Sequence, residues 1–542
     1  MARQGFRRGA PKKLFIGALV LLAFLGAFAF LGADRSVPSA AMPALADDAS
    51  PQQRGAAVFV GGGFGGISQD ALETNAIPWK LAAAALVLDH RRTDPKAKID
   101  QATLRKIMQQ FGFLYPERLT GMPDGLATRF DSKPLGLTHG TIAPVGGARV
   151  EVANIGCAAC HAGIAYDRGG NPMPQIAAPG MPNTSLDLEQ YTSAIFEALR
   201  NEDDDGALLD AAATLFPEMG WREKASLRFI VLPLARQRLA QLAGEERAMP
   251  FPNGLPGATN GVAALKQQIR SPMLNGGPGE AGFVSIPELA LRDRRSRLLS
   301  DGAYAAPGGK PDASELAAIT SFFTVPSMGI HPDVARSHEG DAMAVFAWLA
   351  EYRPLRFPGP FDEARARRGM AVFEAQCASC HGSYEWSAAT PQLKDFPDWV
   401  GDVGTDPLRA DAFDAALARK VAGTSYAQTI EVRNGEGYAA PPLAGLWASA
   451  PYLHNGSVQS LEALLDPSKR LPRFMVGGHA LDWETVGLRV DTSGRYPAGY
   501  RPFSRPQWVD TRQPGLGNTG HEYGKELSEE ERRALLEFLK AL

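Results

Sequence analysis

The sequence predicts a mainly α-helical chain of two units, the first enlarged by extra helices and loops, behind an N-terminal membrane helix. Three observations lead there. Residues 14–33 are an uncharged apolar run, helical periodicity recurs on both sides of a proline-rich hinge at 352–360, and each unit carries one Cys-x-x-Cys-His pentapeptide. At 542 residues the chain is also too long for a single compact core.

The N-terminus sets the expected compartment. Arg3, Arg7, Arg8, Lys12 and Lys13 precede the apolar run, which has about the 20 residues that a helix needs to span a bilayer. With the basic residues on the cytoplasmic side, the rest of the chain is expected on the periplasmic side of a bacterial inner membrane, anchored by one N-terminal helix over the apolar run, the basic N-terminus and anchor together covering residues 1–33. The other outcome is cleavage at the small-residue site Ala44-Leu45-Ala46, giving a periplasmic or secreted protein. Residues 34–54, rich in Ala, Pro, Ser and Asp, read as a linker.

The first unit is expected over 55–360. Its amphipathic stretches, such as 186–199 and 237–242, are broken by Gly/Pro-rich loops at 248–261 and 271–282. The run before its cysteine motif, 150–156, reads as extended. Gly61-Gly62-Gly63-Phe64-Gly65-Gly66 fits the spacing of a dinucleotide loop, with Asp89 downstream, but Pro78 breaks the helix that should follow, so a flexible loop is the expectation.

The second unit is expected over 361–542. Asp362 opens a helix on which Gly369, Phe373 and Cys377 share a face, and Gly369 permits close approach of another helix. Ser528 and Glu531 form a capping box before a last helix whose Leu535, Leu539 and Leu542 lie together. A terminal helix crossing the helix before the motif is the architecture of a small c-type cytochrome domain.

The chemistry rests on the cysteines. A net charge of −3 gives no basic field for nucleic acid, and no such partner is expected. All four cysteines fall in the two motifs: Cys157/Cys160/His161 and Cys377/Cys380/His381. In this spacing two thiols one helical turn apart can add to the vinyl groups on one porphyrin edge while the adjacent histidine meets the iron. Two covalently bound haem c groups are therefore expected, with His161 and His381 as iron ligands. A zinc site would need further Cys or His pairs, and a redox dithiol a βαβ context; neither is visible. Covalent haem attachment takes place outside the bacterial cytoplasm, which agrees with the N-terminal signal.

The sixth ligand of each iron separates electron transfer from substrate chemistry. For the second haem, His454 is the strongest candidate, in the Pro/Gly-rich run Ala450-Pro451-Tyr452-Leu453-His454-Asn455-Gly456-Ser457, with Met475 its main rival and His479 and His521 the others. For the first, Phe322 and Phe323 would leave an open aromatic pocket, whereas Met328 or His331 would close it.

Gly404-Thr405-Asp406-Pro407, Ala450 to Ser457 and Gly277-Pro278-Gly279, together with the two haem motifs, resemble the di-haem cytochrome c peroxidase-like proteins, most closely the rubber oxygenase branch. The resemblance covers about residues 144–542 and is most specific in the last third. It implies His454 as the distal ligand of the second haem and leaves the substrate open. The expected function is an oxidoreductase using peroxide or oxygen at the first haem, with the second relaying electrons from a redox partner protein. The alternative is an electron-transfer cytochrome without substrate chemistry.

Overall fold

The computed structural model describes residues 45–62, 77–124, 126, 133–145, 148–241, 251–269, 280–308, 339–387 and 390–542. About 40% of the chain is helix and 16% strand, so the expected mainly α class is corrected to a mixed one. No helix of the described residues is long and apolar enough to cross a membrane, so the membrane helix of the expected fold class is not among them. The apolar run at 14–33 and most of the glycine run at 61–66 lie outside the described residues.

Strands enter because the first motif is framed by alternating sequence rather than by helical periodicity. Helix α1 (Pro51–Ala57), capped by Ser50 and Gln53, begins inside the stretch read as linker and continues as a π turn over Val58–Gly62. Helix α2 (Trp79–Thr93) is buried along its first half. The extended run before the motif belongs to an antiparallel hairpin, β1 (Leu137–Val145) with β2 (Ala148–Ile155), in register Leu137 opposite Ile155. Val150 and Val152 alternate with polar residues there, a period of two. The hairpin delivers the chain into the short helix α3 (Cys157–Cys160), which a second antiparallel pair follows: β3 (Ala162–Tyr166) and β4 (Pro172–Pro179).

Helices α4 (Leu188–Asn201) and α5 (Asp205–Leu215) then pack on α2 in one apolar cluster, which α7 (Leu232–Gln241) joins through Leu232, while α6 (Trp221–Ser226) lies against β2. Helix α8 (Glu339–Glu351) returns to α1: a Cβ on Gly55 would stand 2.0 Å from the Ala344 carbonyl oxygen, so only glycine allows this crossing. The second unit repeats the device. Helix α9 (Glu363–Gln376), opened by Asp362, leads to α10 (Ala378–His381) and the hairpin β5 (Ser383–Ser387) with β6 (Thr390–Asp395). Helix α11 (Glu529–Ala541) closes the unit, with the Ser528–Glu531 capping box at its start. A Cβ on Gly369 of α9 would lie 1.9 Å from the Ala534 carbonyl oxygen, and Phe373 packs on Phe538 at 5.2 Å between ring centres. In both units the early helix thus crosses the last one at a glycine.

The proline-rich hinge is not a loose joint. A single apolar cluster runs through both units, from Ala56 and Trp348 to Trp447 and Phe538. Phe357 of the hinge meets Trp483 at 4.9 Å and Trp447 at 6.2 Å, and the Trp447 indole N–H donates to the Leu355 carbonyl at 3.0 Å. That shared core fixes the two cysteine motifs relative to each other.

Candidate haem-binding sites

Each motif opens a single helical turn that presents its histidine in the same way. His161 N–H closes on the Cys157 carbonyl at 2.9 Å, and His381 N–H on that of Cys377 at 3.0 Å. His161 Nδ1 then lies 3.0 Å from the carbonyl oxygen of Pro287, and His381 Nδ1 2.8 Å from that of Pro441. A carbonyl only accepts, so Nδ1 carries the proton in both rings and Nε2 is left with its lone pair outward, the arrangement of a metal-bound imidazole held from behind. Burial keeps both rings neutral, His161 down at about 4 with the neighbouring Arg292 adding to the effect.

The two carbonyls sit in matching sequences, Pro287-Glu288-Leu289-Ala290 and Pro441-Pro442-Leu443-Ala444. The first loop is tied back to its motif through Gly180, whose N–H donates to the His161 carbonyl at 2.7 Å and whose carbonyl accepts from Leu289 N–H at 3.0 Å. The second is held by Tyr384 of β5, whose hydroxyl donates to the Leu443 carbonyl at 2.9 Å and accepts its N–H at 2.7 Å. Sequence reasoning missed these prolines.

The four cysteines are not joined to one another in disulfides. Burial pushes Cys160 and Cys377 up to about 12.

The imidazole that faces His381 is His521, with ring centres 6.2 Å apart and planes at 62°. Two imidazoles bound to opposite sides of one iron, each nitrogen ~2 Å from the metal and ~1.1 Å from its own ring centre, put the centres about 6 Å apart. The pair fits a six-coordinate haem iron. Burial first, and then His381, holds His521 neutral, down at about 4.

The segment bearing His521 is braced by the two stretches singled out in the last third of the sequence. His521 has φ +48° and donates its N–H to the Val403 carbonyl at 2.8 Å, while Gly520 lies against Gly404, where a Cβ would meet carbonyl carbon at 2.2 Å. Asp406 accepts Gly517 N–H at 3.0 Å. The Asn455 amide donates to the carbonyls of Gly515 (3.1 Å) and Gly517 (3.0 Å), and the Ser457 hydroxyl donates to Gly517 at 2.9 Å.

His454, expected opposite His381, stacks instead on Tyr438, with centres 3.9 Å apart and planes at 19°. Its carbonyl accepts Ser285 N–H at 2.6 Å, and burial with the Arg409 charge holds the ring down at about 3. Met475 lies on a strand paired with Trp508. His479 is 1% exposed, its Nδ1 accepting Gly477 N–H at 3.3 Å. Phe322, Phe323, Met328, His331 and Gly277-Pro278-Gly279 lie outside the described residues.

Among the described residues no three His, Cys, Asp or Glu side chains gather into a metal-ligand set. A porphyrin supplies four ligands itself, so a haem iron asks for no more than the facing pair found at His381 and His521.

Two uncharacterized proteins of Sinorhizobium fredii are similar to part of the chain. Protein y4iJ is 30% identical over 256 residues, 35% of this chain and 41% of its own length. Protein y4iM is 32% identical over 206 residues, 31% of this chain and 43% of its own length. The chain thus spans about two fifths of the curated relatives it matches. Residues 437–475, which include Tyr438, Pro441, His454, Asn455 and Ser457, match the RoxA-like, cytochrome c-like family, so the chain contains a RoxA-like cytochrome c domain.

Proposed function

We propose that the chain is an extracytoplasmic c-type cytochrome carrying two haems, an oxidoreductase in which the second site relays electrons and the first acts on oxygen or peroxide. One haem would be attached at Cys157 and Cys160 with His161 on the iron, the other at Cys377 and Cys380 with His381 and His521. Haem c, when bound, supplies an iron that changes charge by one electron and, where its sixth position is open, takes up a small oxidant.

The observation that carries this reading is the pairing of His381 with His521 at 6.2 Å, each motif histidine being locked by a proline carbonyl. A site closed by two imidazoles exchanges electrons and does no substrate chemistry, which leaves chemistry to the His161 side. The Nδ1–H···O=C bonds fix the ring orientation and make each imidazole a better donor to a metal. The packed aromatics between the units, Tyr166, Phe357, Trp447 and Trp483, hold the two sites at a constant separation, as electron exchange between them requires. A redox protein or small reductant would feed the second site.

The test is differential ligand binding. Carbon monoxide added to the reduced protein should perturb the haem lost on replacing Cys157 and Cys160 by alanine, and leave the other unchanged. Haem that extracts into acid acetone, or carbon monoxide binding first at the His381 site, would overturn the proposal.

A further inference from the structure

The helical run from Trp221 to Gln241 lies outside everything assigned above, yet it carries three of the large apolar side chains that the described surface leaves exposed: Trp221 at 65%, Phe229 at 72% and Leu234 at 46%. Its inner face is firmly seated. Glu223 is buried, its Oε2 accepting from Lys80 Nζ at 2.6 Å and its Oε1 from Glu151 N–H at 3.1 Å. Ser226, Leu227, Val231 and Leu232 are buried with it. Because Glu223 faces inward, Trp221 and Lys224 on either side of it face solvent. The π turn over Leu227–Val231 has more residues per turn than an α-helix, and Arg228 and Phe229 are both exposed on it.

The exposed side is cationic as well as apolar. The Arg222 guanidinium lies over the Trp221 ring at 5.3 Å and that of Arg228 over Phe229 at 5.8 Å, with Lys224 and Arg238 also on the surface. Glu218 is the exposed carboxylate just before the helix, and Asp205 at the other end is taken up by Arg236 at 2.8 Å. Aromatic rings paired with cations at one level are the chemistry of the bilayer interface, where rings enter the headgroup boundary and cations meet phosphate.

We infer that the outer face of residues 221–238 docks on an anionic phospholipid surface, with Trp221, Phe229 and Leu234 entering the interface and Lys224, Arg228 and Arg238 on the phosphates. This contact is independent of residues 14–33 and of the haem sites.

The full haem-loaded chain should be sedimented with phosphatidylcholine vesicles, with and without phosphatidylglycerol, beside three variants: Lys224→Glu/Arg228→Glu, Phe229→Ser, and Met343→Ser as a control on another exposed apolar residue. The parent and the control should bind the anionic vesicles alike and more tightly than the neutral ones. The double reversal should lower the affinity about 25-fold or more, at roughly a fivefold loss per cation removed. The Phe229 variant should weaken binding to anionic vesicles also at high salt. Unchanged haem spectra keep misfolding out of the comparison. If all four proteins bind alike, or the parent binds neutral vesicles as tightly, the inference fails. It fails too if the parent ignores vesicles and the same variants abolish capture of an acidic protein instead.

Discussion

Replacing Asn455 by alanine tests how the His521 segment is held. Asn455 is 3% exposed; its amide N–H groups satisfy the carbonyls of Gly515 and Gly517, and its Oδ1 accepts Ser457 N–H at 3.2 Å. Gly517 keeps one partner, the Ser457 hydroxyl, so the truncation orphans the Gly515 carbonyl and the buried Ser457 N–H. At the lower end of ~1–3 kcal/mol for each of these two unsatisfied buried groups, with partial relaxation, the cost is about 2–3 kcal/mol. Unfolding entropy of roughly 2.1 cal/mol/K per residue comes to about 1.1 kcal/mol/K for 542 residues, so the thermal midpoint should fall by only about 2 °C. The local effect should be larger, because the whole cost falls on the segment that positions one ligand. On warming, the absorption of the second haem should pass from low-spin to a high-spin mixture several degrees before the far-ultraviolet transition, whereas in the parent the two changes should coincide. A variant whose spin state and midpoint both match the parent's would refute the bracing role of Asn455.

Two further outcomes follow from packing and charge. Gly369→Val places a side chain against the Ala534 carbonyl, where a Cβ alone would be 1.9 Å away, and should cost about 3 kcal/mol or more; denaturant titration showing parent-like stability would mean that the helices cross elsewhere. Burial pushes Glu288 up to about 8, although the N–H groups of Leu289 and Ala290, the Tyr352 hydroxyl and Arg292 favour its charged form. A carboxyl raised in the folded state keeps a proton that the unfolded chain has lost, so stability falls as pH rises from its ordinary 4.5 towards about 8. Glu288→Gln should flatten that slope in denaturant midpoints measured across the interval, and an unchanged slope would contradict the buried placement.

How much of this was legible in the sequence depended on where the signal lies. Cys-x-x-Cys-His, the capping box at Ser528 and the apolar face of α9 are set by spacing within one element, and they were readable. The proline carbonyls were not, because a backbone oxygen has no side-chain signature; the repeated Pro-x-Leu-Ala of 287–290 and 441–444 was the available clue. His521 was one of four candidates but stands between Gly520 and Glu522 with no apolar approach, whereas His454 sits in a run that looks built to line a cofactor. Asn455 and Ser457 of that run bind the His521 segment, while the His454 ring stacks on Tyr438. The strand content escaped for a related reason. Many of the strands are two residues long and exist only through partners distant in sequence, such as Val400 opposite Ala439.

The most direct test compares His521→Ala with His454→Ala in the haem-loaded protein by electron paramagnetic resonance and near-infrared magnetic circular dichroism, following the haem attached at Cys377 and Cys380. Loss of its low-spin bis-imidazole signal in His521→Ala, and retention in His454→Ala, is the predicted result. Retention in His521→Ala with loss in His454→Ala would contradict the assignment of His381 and His521 to one iron.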